Sequence, residues 1–338
     1  MAIHVGLIGG GNITNTHARA VAAIPGAKIV AFCGMNPQKI EQLCTQFGGS
    51  AYSDLNSFLS HPSLEMVIIG SPSGLHAEQG IAAAQRGLHV LVEKPIDIST
   101  SRADALIGEC DRAGVKLGVI FQDRLKPSIC RFKQLIAEGR LGRPLLVDAR
   151  VKWYRPPEYY TNSRWRGTWN LDGGGALMNQ GVHTVDLLLW LLGDVTTVEA
   201  RTGALLHSIE TEDTAIALLE FSSGAFGVLQ ATTAAYPGYA RRVEITGTEG
   251  TVVLEGDRLI TTGLRHTPDD LVIHEPADRN ASSTSPIVDD IRGHQRVIED
   301  FIAAIRNNST PACDGRQGRR SVALIERIYA ASKKTRSR

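Results

Sequence analysis

Short apolar runs alternate with amphipathic segments through the first third of the chain. Ile3 to Ile8 is an apolar run cut short by Gly9, Gly10 and Gly11, and Asn12 to Ile24 reads as a helix entered through those glycines. The pattern then predicts a strand over Lys28–Cys33 and a helix over Pro37–Phe47, opened by a proline suited to the first turn. A strand follows over Glu65–Gly70, a helix over Gly74–Arg86 and a strand over Leu88–Val92. A helix over Ser99–Ala113, capped by Ser99 or Thr100, leads to a strand over Val115–Ile120. Strands alternating with helices imply right-handed crossovers and a parallel, doubly wound sheet.

After about residue 145 the pattern changes. Leu145–Trp153 reads as a long strand, and Asp172–Leu192 contains a long helix. Five β-rich runs follow, over Thr196–Ala204, Thr214–Phe221, Ala225–Thr233, Arg242–Thr246 and Thr251–Leu254, separated by turns such as Ser222-Ser223-Gly224. They predict an antiparallel or mixed sheet with helices on one face. A surface loop is expected over 276–288, helices over His294–Arg306 and Gln317–Ser332, and a frayed tail over Lys333–Arg338. The expected organisation is an α/β Rossmann domain over 1–123 and an α+β domain over 124–338 for substrate binding and oligomerisation.

The bulk numbers fit that division. A chain of 338 residues, 43% hydrophobic, suits two ordinary domains that need neither disulfides nor metals. Net charge is +1 with acids and bases interspersed, so nothing marks a nucleic-acid or membrane surface. Five scattered cysteines without CxxC spacing suit a reducing compartment. No secretory leader is visible, and no run approaches the roughly 20 apolar residues of a membrane span, so a cytoplasmic location is expected.

Two stretches carry candidate chemistry. Gly9, Gly11, Asn12 and Ile13 follow a strand and open a helix, where glycines let the backbone approach a pyrophosphate held on helix N–H groups. Thr14 stands where the usual fingerprint has its third glycine. The ribose-binding acid expected near the end of the second strand is replaced by Gly34-Met35-Asn36. Asn36 can bond a free ribose hydroxyl, and the choice between NAD and NADP stays open. Further on, Val92-Glu93-Lys94-Pro95 ends a strand, since a residue before proline is pushed to extended geometry. Lys94 is thereby delivered to the carboxyl end of a sheet, where ligands of open α/β folds bind.

The second stretch is the helix carrying Asn179, His183 and Asp186. Asn179 and His183 are four apart and share a face. A histidine titrates near neutrality and suits general-base work, with the amide to orient substrate. The ordinary alternative is a hydrogen-bonded core histidine. No metal is expected, because no second ligand motif lies nearby.

These residues give the chain its resemblance. Gly9-Gly-Gly-Asn-Ile, Ser71-Pro-Ser-Gly-Leu-His76, Glu93-Lys94-Pro95 and the Asn179/His183 helix resemble the glucose–fructose oxidoreductase/inositol dehydrogenase/MocA (Gfo/Idh/MocA) family. The likeness extends through Lys152-Trp-Tyr-Arg, Trp165-Arg166-Gly-Thr-Trp169, Glu212-Asp-Thr214 and the C-terminal helices. It implies a Rossmann domain followed by a domain with a large, mostly antiparallel open sheet that makes homodimer or homotetramer contacts. It implies NAD(P)-dependent oxidation of a secondary hydroxyl of a sugar, sugar derivative or cyclitol, with Lys94 and His183 as the catalytic pair. Asn179 replaces the family's usual acid one turn before the histidine, as in a branch similar to nucleotide-sugar 3-dehydrogenases acting on UDP-N-acetylglucosaminuronic acid. By the same resemblance Ser71, Pro72, His76 and Gln122 line the cofactor crevice, Glu93 meets the nicotinamide ribose, and Trp165 and Arg166 reach nicotinamide or substrate. Tyr154, Arg155, Tyr159 and Tyr160 offer aromatic faces and an arginine suited to a sugar and its acidic group, or else a subunit contact. Two other readings stay open: a redox-cycling glycosidase or lyase built on the same site, and a cofactor-binding regulator without turnover.

Overall fold

The computed structural model describes residues 2–266 and 290–336, so the loop expected over 276–288 lies outside the described residues. The chain forms two compact units, Met1–Gln122 with Ile287–Arg319, and Asp123–Pro286 with Arg320–Arg338.

The first unit follows the predicted alternation. Its elements are β1 (Ile3–Ile8), α1 (Asn12–Ala22), β2 (Ala27–Cys33), α2 (Pro37–Phe47), β3 (Ser50–Tyr52), α3 (Leu55–Leu59), β4 (Met66–Ile69), α4 (His76–Ala84), β5 (His89–Glu93), α5 (Thr100–Ala113) and β6 (Leu117–Ile120). The strands lie in the order β3-β2-β1-β4-β5-β6, with every pairing parallel. Strand order reverses between β1 and β4, so a crevice opens beyond their carboxyl ends. Asn36, Asp54 and Ser99 cap α2, α3 and α5 through side-chain oxygens. The sequence pattern missed β3 and α3, which at three and five residues are too short to show a period.

The second unit begins with α6 (Pro127–Ala137), which the pattern also missed, and continues through β7 (Pro144–Lys152) and α7 (Glu158–Thr161) to α8 (Val182–Leu192). The strands β8 (Val195–Gly203), β9 (Thr214–Phe221), β10 (Phe226–Thr232), β11 (Arg242–Gly247), β12 (Gly250–Glu255) and β13 (Arg258–Leu264) then complete a sheet ordered β13-β12-β11-β7-β10-β9-β8. Only β7–β10 pairs in parallel. Period-two alternation makes one face apolar: in β9, Ala215, Ala217, Leu219 and Phe221 are buried while Ile216 and Leu218 point away. The helix expected within Asp172–Leu192 begins beyond Gly173 and Gly174, which adopt φ of 73° and 159°. A π-helical turn over Ala176–Gly181 then feeds α8.

Two helices close the chain, α9 (Arg292–Arg306) and α10 (Gly315–Arg336). α9 packs on α1 in the first unit, burying Val297, Ile298, Phe301 and Ile302, so the residues after 123 do not all belong to the second unit. α10 continues past Ser332 to Arg336, where a frayed tail was expected.

Candidate active site

The glycine loop after β1 has the shape its sequence predicts. Gly9 takes φ 125°, and a Cβ there would lie 2.7 Å from the Gly70 carbonyl oxygen and from Thr14 Oγ1. Gly11 caps α1 with open space where a side chain would stand, no side chain caps the helix, and its first turn holds no acid. Uncapped N–H groups at a glycine-cleared helix start are what a pyrophosphate requires, so these residues fit a dinucleotide. Thr14, at the third-glycine position, is buried, and its hydroxyl has no hydrogen-bond partner. At the end of β2, Met35 and Asn36 are exposed, and Asn36 Oδ1 accepts the Lys39 N–H at 3.1 Å, leaving its amide N–H available for a ribose.

Lys94 leaves the end of β5 on a segment pinned at every other residue. Glu93 is buried. One carboxylate oxygen stands 2.9 Å from His17 Nε2 and 3.7 Å from His294 Nε2, and the other accepts the Lys94 backbone N–H at 3.0 Å. Burial pushes the Glu93 carboxyl up, but the two imidazoles outweigh it and hold the group well below the usual carboxylate range. Burial lowers the His17 pKa, so that ring is a neutral donor. Pro95 offers its carbonyl to His76 Nδ1 at 2.8 Å, and Ser71 offers its own to His76 Nε2 at 3.0 Å. Burial lowers the His76 pKa too, leaving one ring N–H to serve one carbonyl at a time. Asp97 accepts from the Ala77 N–H at 2.8 Å and from Arg102 Nε at 2.7 Å.

Glu93 and His76, both expected near the cofactor, are buried with their polar atoms engaged by protein, and they hold the loop. Ser71 is half-exposed and donates to Gln79 at 2.7 Å. Pro72 precedes the turn that opens α4, and Gln122 follows β6 with its Oε1 buried and lacking a partner.

In the second unit the chain from Asp172 to Leu189 is buried except at Asn179 and His183. Both residues of the predicted face therefore keep access, although Asn179 sits in the π turn and His183 in the first turn of α8. Such π segments recur at functional sites. Asn179 Nδ2 donates to Asp172 at 2.6 Å, and its Oδ1 accepts from Gln180 Nε2 at 3.1 Å. Asp123 supplies the negative charge toward His183 that the position one turn earlier lacks. Burial pushes the Asp123 carboxyl up, yet Arg241, Lys126 and His183 bring it well below the usual range. Arg241 hydrogen-bonds Asp123, and Lys126 Nζ lies 2.7 Å away.

Arg155, expected to meet substrate, is 1% exposed. It donates to Gln180 Oε1 at 3.0 Å and lies 5.3 Å from the Trp153 ring, a structural role imposed by its place just after a buried strand. Gln180 in turn donates to Tyr159 Oη at 2.9 Å, and Tyr160 is buried against Thr233. Arg166, Trp165 and Tyr154 stay half-exposed; Arg166 stacks 4.2 Å from the Tyr159 ring centre, and Tyr154 meets Tyr236 edge-on. His17, His294, Asp97, Asp123 and Asp172 were not singled out by the sequence. Asp172 and Asp97 flank motifs that were, but nothing local marks the others.

The sequence matches two family descriptions: "Oxidoreductase family, NAD-binding Rossmann fold" over residues 3–121, and "GFO/IDH/MocA C-terminal domain" over 129–253. Among solved structures, the WlbA dehydrogenase of Bordetella pertussis in complex with NADH and UDP-GlcNAcA is 34% identical. Its TM-score is 0.88, with 99% of this chain and 98% of that one covered. The WlbA dehydrogenase of Chromobacterium violaceum, in complex with the same two compounds, is 31% identical, with TM-score 0.87 and coverages of 99% and 94%. Myo-inositol 2-dehydrogenase of Thermotoga maritima is 25% identical over 340 residues, covering 98% of this chain and 96% of that protein.

Proposed function

The chain belongs to the Gfo/Idh/MocA oxidoreductase family, and from that premise we propose that it is a nicotinamide-dependent dehydrogenase acting on a secondary hydroxyl of a sugar, sugar derivative or cyclitol. The observation that carries this reading is the selective access of Asn179 and His183 within an otherwise buried segment. A core histidine has no reason to keep that opening.

We assign the cofactor to the first unit, held by the glycine loop and the start of α1, and the substrate to the second. When bound, the nicotinamide supplies the acceptor or donor for the hydride. His183 takes the hydroxyl proton on oxidation and returns it on reduction. Lys94 donates a hydrogen bond to the same oxygen and stabilises its developing charge. Asp123 is a charged neighbour of His183, where Asn179 offers only an amide. Arg166 remains the accessible cation for an acidic substituent, since Arg155 is enclosed. A nucleotide sugar carrying a carboxylate heads the candidates because the two WlbA dehydrogenases, 34% and 31% identical, are described with UDP-GlcNAcA. NAD(H) is the proposed cofactor on the same ground.

Association through the open sheet is also proposed. Leu146, Phe226, Ile216 and Leu218 share its outer face and are 45–63% exposed. Light scattering should give a multiple of the chain mass, and Phe226→Asp should lower it. Among the described residues no helix is long and apolar enough to cross a membrane, and a cytoplasmic site of action is proposed.

The test is turnover of a panel of nucleotide sugars, free sugars and cyclitols with NAD and with NADP. Accumulation of reduced cofactor in proportion to oxidised sugar is expected. Binding of cofactor without turnover of any member would overturn the reading.

A further inference from the structure

We propose that the buried triad His17–Glu93–His294 is a positioning device for Lys94, and that Glu93 acts through that lysine without touching cofactor or substrate. This rests on the assignment of Lys94 above.

The three side chains come from α1, the end of β5 and α9, and each is at most 6% exposed. Glu93 divides its carboxylate between two tasks. One oxygen accepts from His17 at 2.9 Å, with His294 Nε2 3.7 Å away, and the other receives the Lys94 backbone N–H at 3.0 Å. The carboxylate is thus a clamp whose far side is fixed by α1 and α9 and whose near side fixes the residue carrying the ammonium group. His17 is itself fixed: its ring lies where a Gly70 Cβ would be 3.5 Å away, wedged beside the end of β4.

The same cluster has the composition of a metal site, with ligand atoms within 4.8 Å of one another. The geometry favours protons. A spacing of 2.9 Å is that of a hydrogen bond. Metal-bound imidazoles are ordinarily oriented through their second nitrogen by an outer partner, and here both Nδ1 atoms, of His17 and of His294, are buried without one. A neutral His17 ring donating from Nε2 explains its short contact and its bare Nδ1, because an unpaired ring acceptor is less costly to bury than an unpaired charge.

Hydrogen exchange at the Lys94 amide reads the clamp without any substrate. Glu93→Gln keeps the shape but turns an amide N–H toward one of the two donors. Exchange of the peptide carrying Lys94 should then rise about 10-fold, the equivalent of one charge-assisted hydrogen bond. His17→Leu should raise it in the same direction, and His17→Gln, which keeps an N–H donor, should restore it; these stand in if Glu93→Gln does not fold. With a working substrate, Glu93→Gln should lower kcat by about 10²-fold, the cost of misplacing a reacting group, with NADH affinity unchanged. Lys94→Ala/Glu93→Gln should be no slower than Lys94→Ala. Unchanged exchange in Glu93→Gln, multiplicative losses in the double variant, or stoichiometric zinc in the purified protein whose removal alters exchange would each overturn the proposal. Absence of turnover by the wild type on every sugar would refute the functional reading alone, since the exchange measurement still decides the clamp.

Discussion

Glu93 and Asn179 each stand beside a residue assigned to proton chemistry, and they are held in different ways. Glu93 is gripped by His17, 76 positions earlier, and by His294 from a helix near the end of the chain. Asn179 is tied to Asp172, seven positions upstream, and to its neighbour Gln180. The first arrangement depends on the whole unit being folded and surrounds a buried charge. The second is set up within one glycine-led turn. Buried charge held from afar should transmit damage over distance and respond to pH, whereas a local amide network should tolerate change around it.

The largest effects should follow removal of the reacting groups themselves. Lys94→Ala and His183→Ala should each lower kcat by about 10²–10⁴-fold while NADH binding, followed by fluorescence, persists. Next comes a pair that gives the second unit a long-range buried charge of its own. Arg124 meets Asp186 of α8 through two hydrogen bonds, of 2.8 and 2.6 Å, with both residues buried. Arg124→Met leaves that carboxylate without its counter-ion and should cost about 3–5 kcal/mol in urea unfolding. A loss near zero would mean that α8 is held by local contacts alone.

A smaller effect concerns pH. The carboxyls of Glu93 and Asp123 are held low in the folded protein, against burial, by the imidazoles and by Arg241 with Lys126. A depressed folded pKa contributes stability that is complete above the unfolded value of about 4 and is lost as pH falls through the folded one. The urea midpoint should therefore begin to fall below about pH 6.5, where unfolded imidazoles take protons that folded His17 and His76 resist, and should fall again below about pH 4; Glu93→Gln should make that second decline shallower. An identical decline in the variant would show that Glu93 is not held in its ionised form. The smallest effect is expected at Thr14, whose buried hydroxyl lacks a partner. Thr14→Val should raise stability by about 1 kcal/mol and leave NADH affinity unchanged; a loss of affinity would place that hydroxyl on the cofactor.

The same contrast explains what the sequence reveals. Strands β1, β2, β4, β5 and β6 announce themselves as apolar runs between helices, and β7 to β12 as alternating runs between turns, because burial on two faces or one leaves a local imprint. β3 and α3, at three and five residues, are too short to show a period, so they leave none. Lys94 is legible because proline fixes the geometry before it, and His183 because helical spacing puts it with Asn179. Arg155 looks accessible in sequence because nothing local reveals that Gln180 and Trp153 enclose it. His294 is invisible for a related reason: α9 has an ordinary amphipathic pattern, and only the folded chain shows its histidine beside Glu93.

The most direct measurement is the rate of NADH formation by Lys94→Ala/His183→Ala set against the two single variants, at saturating NAD and substrate. Groups acting on one alcohol oxygen lose their effect together, so the double variant should be no slower than the slower single variant. Losses that multiply would mean that the lysine and the histidine serve separate steps, and would contradict the account.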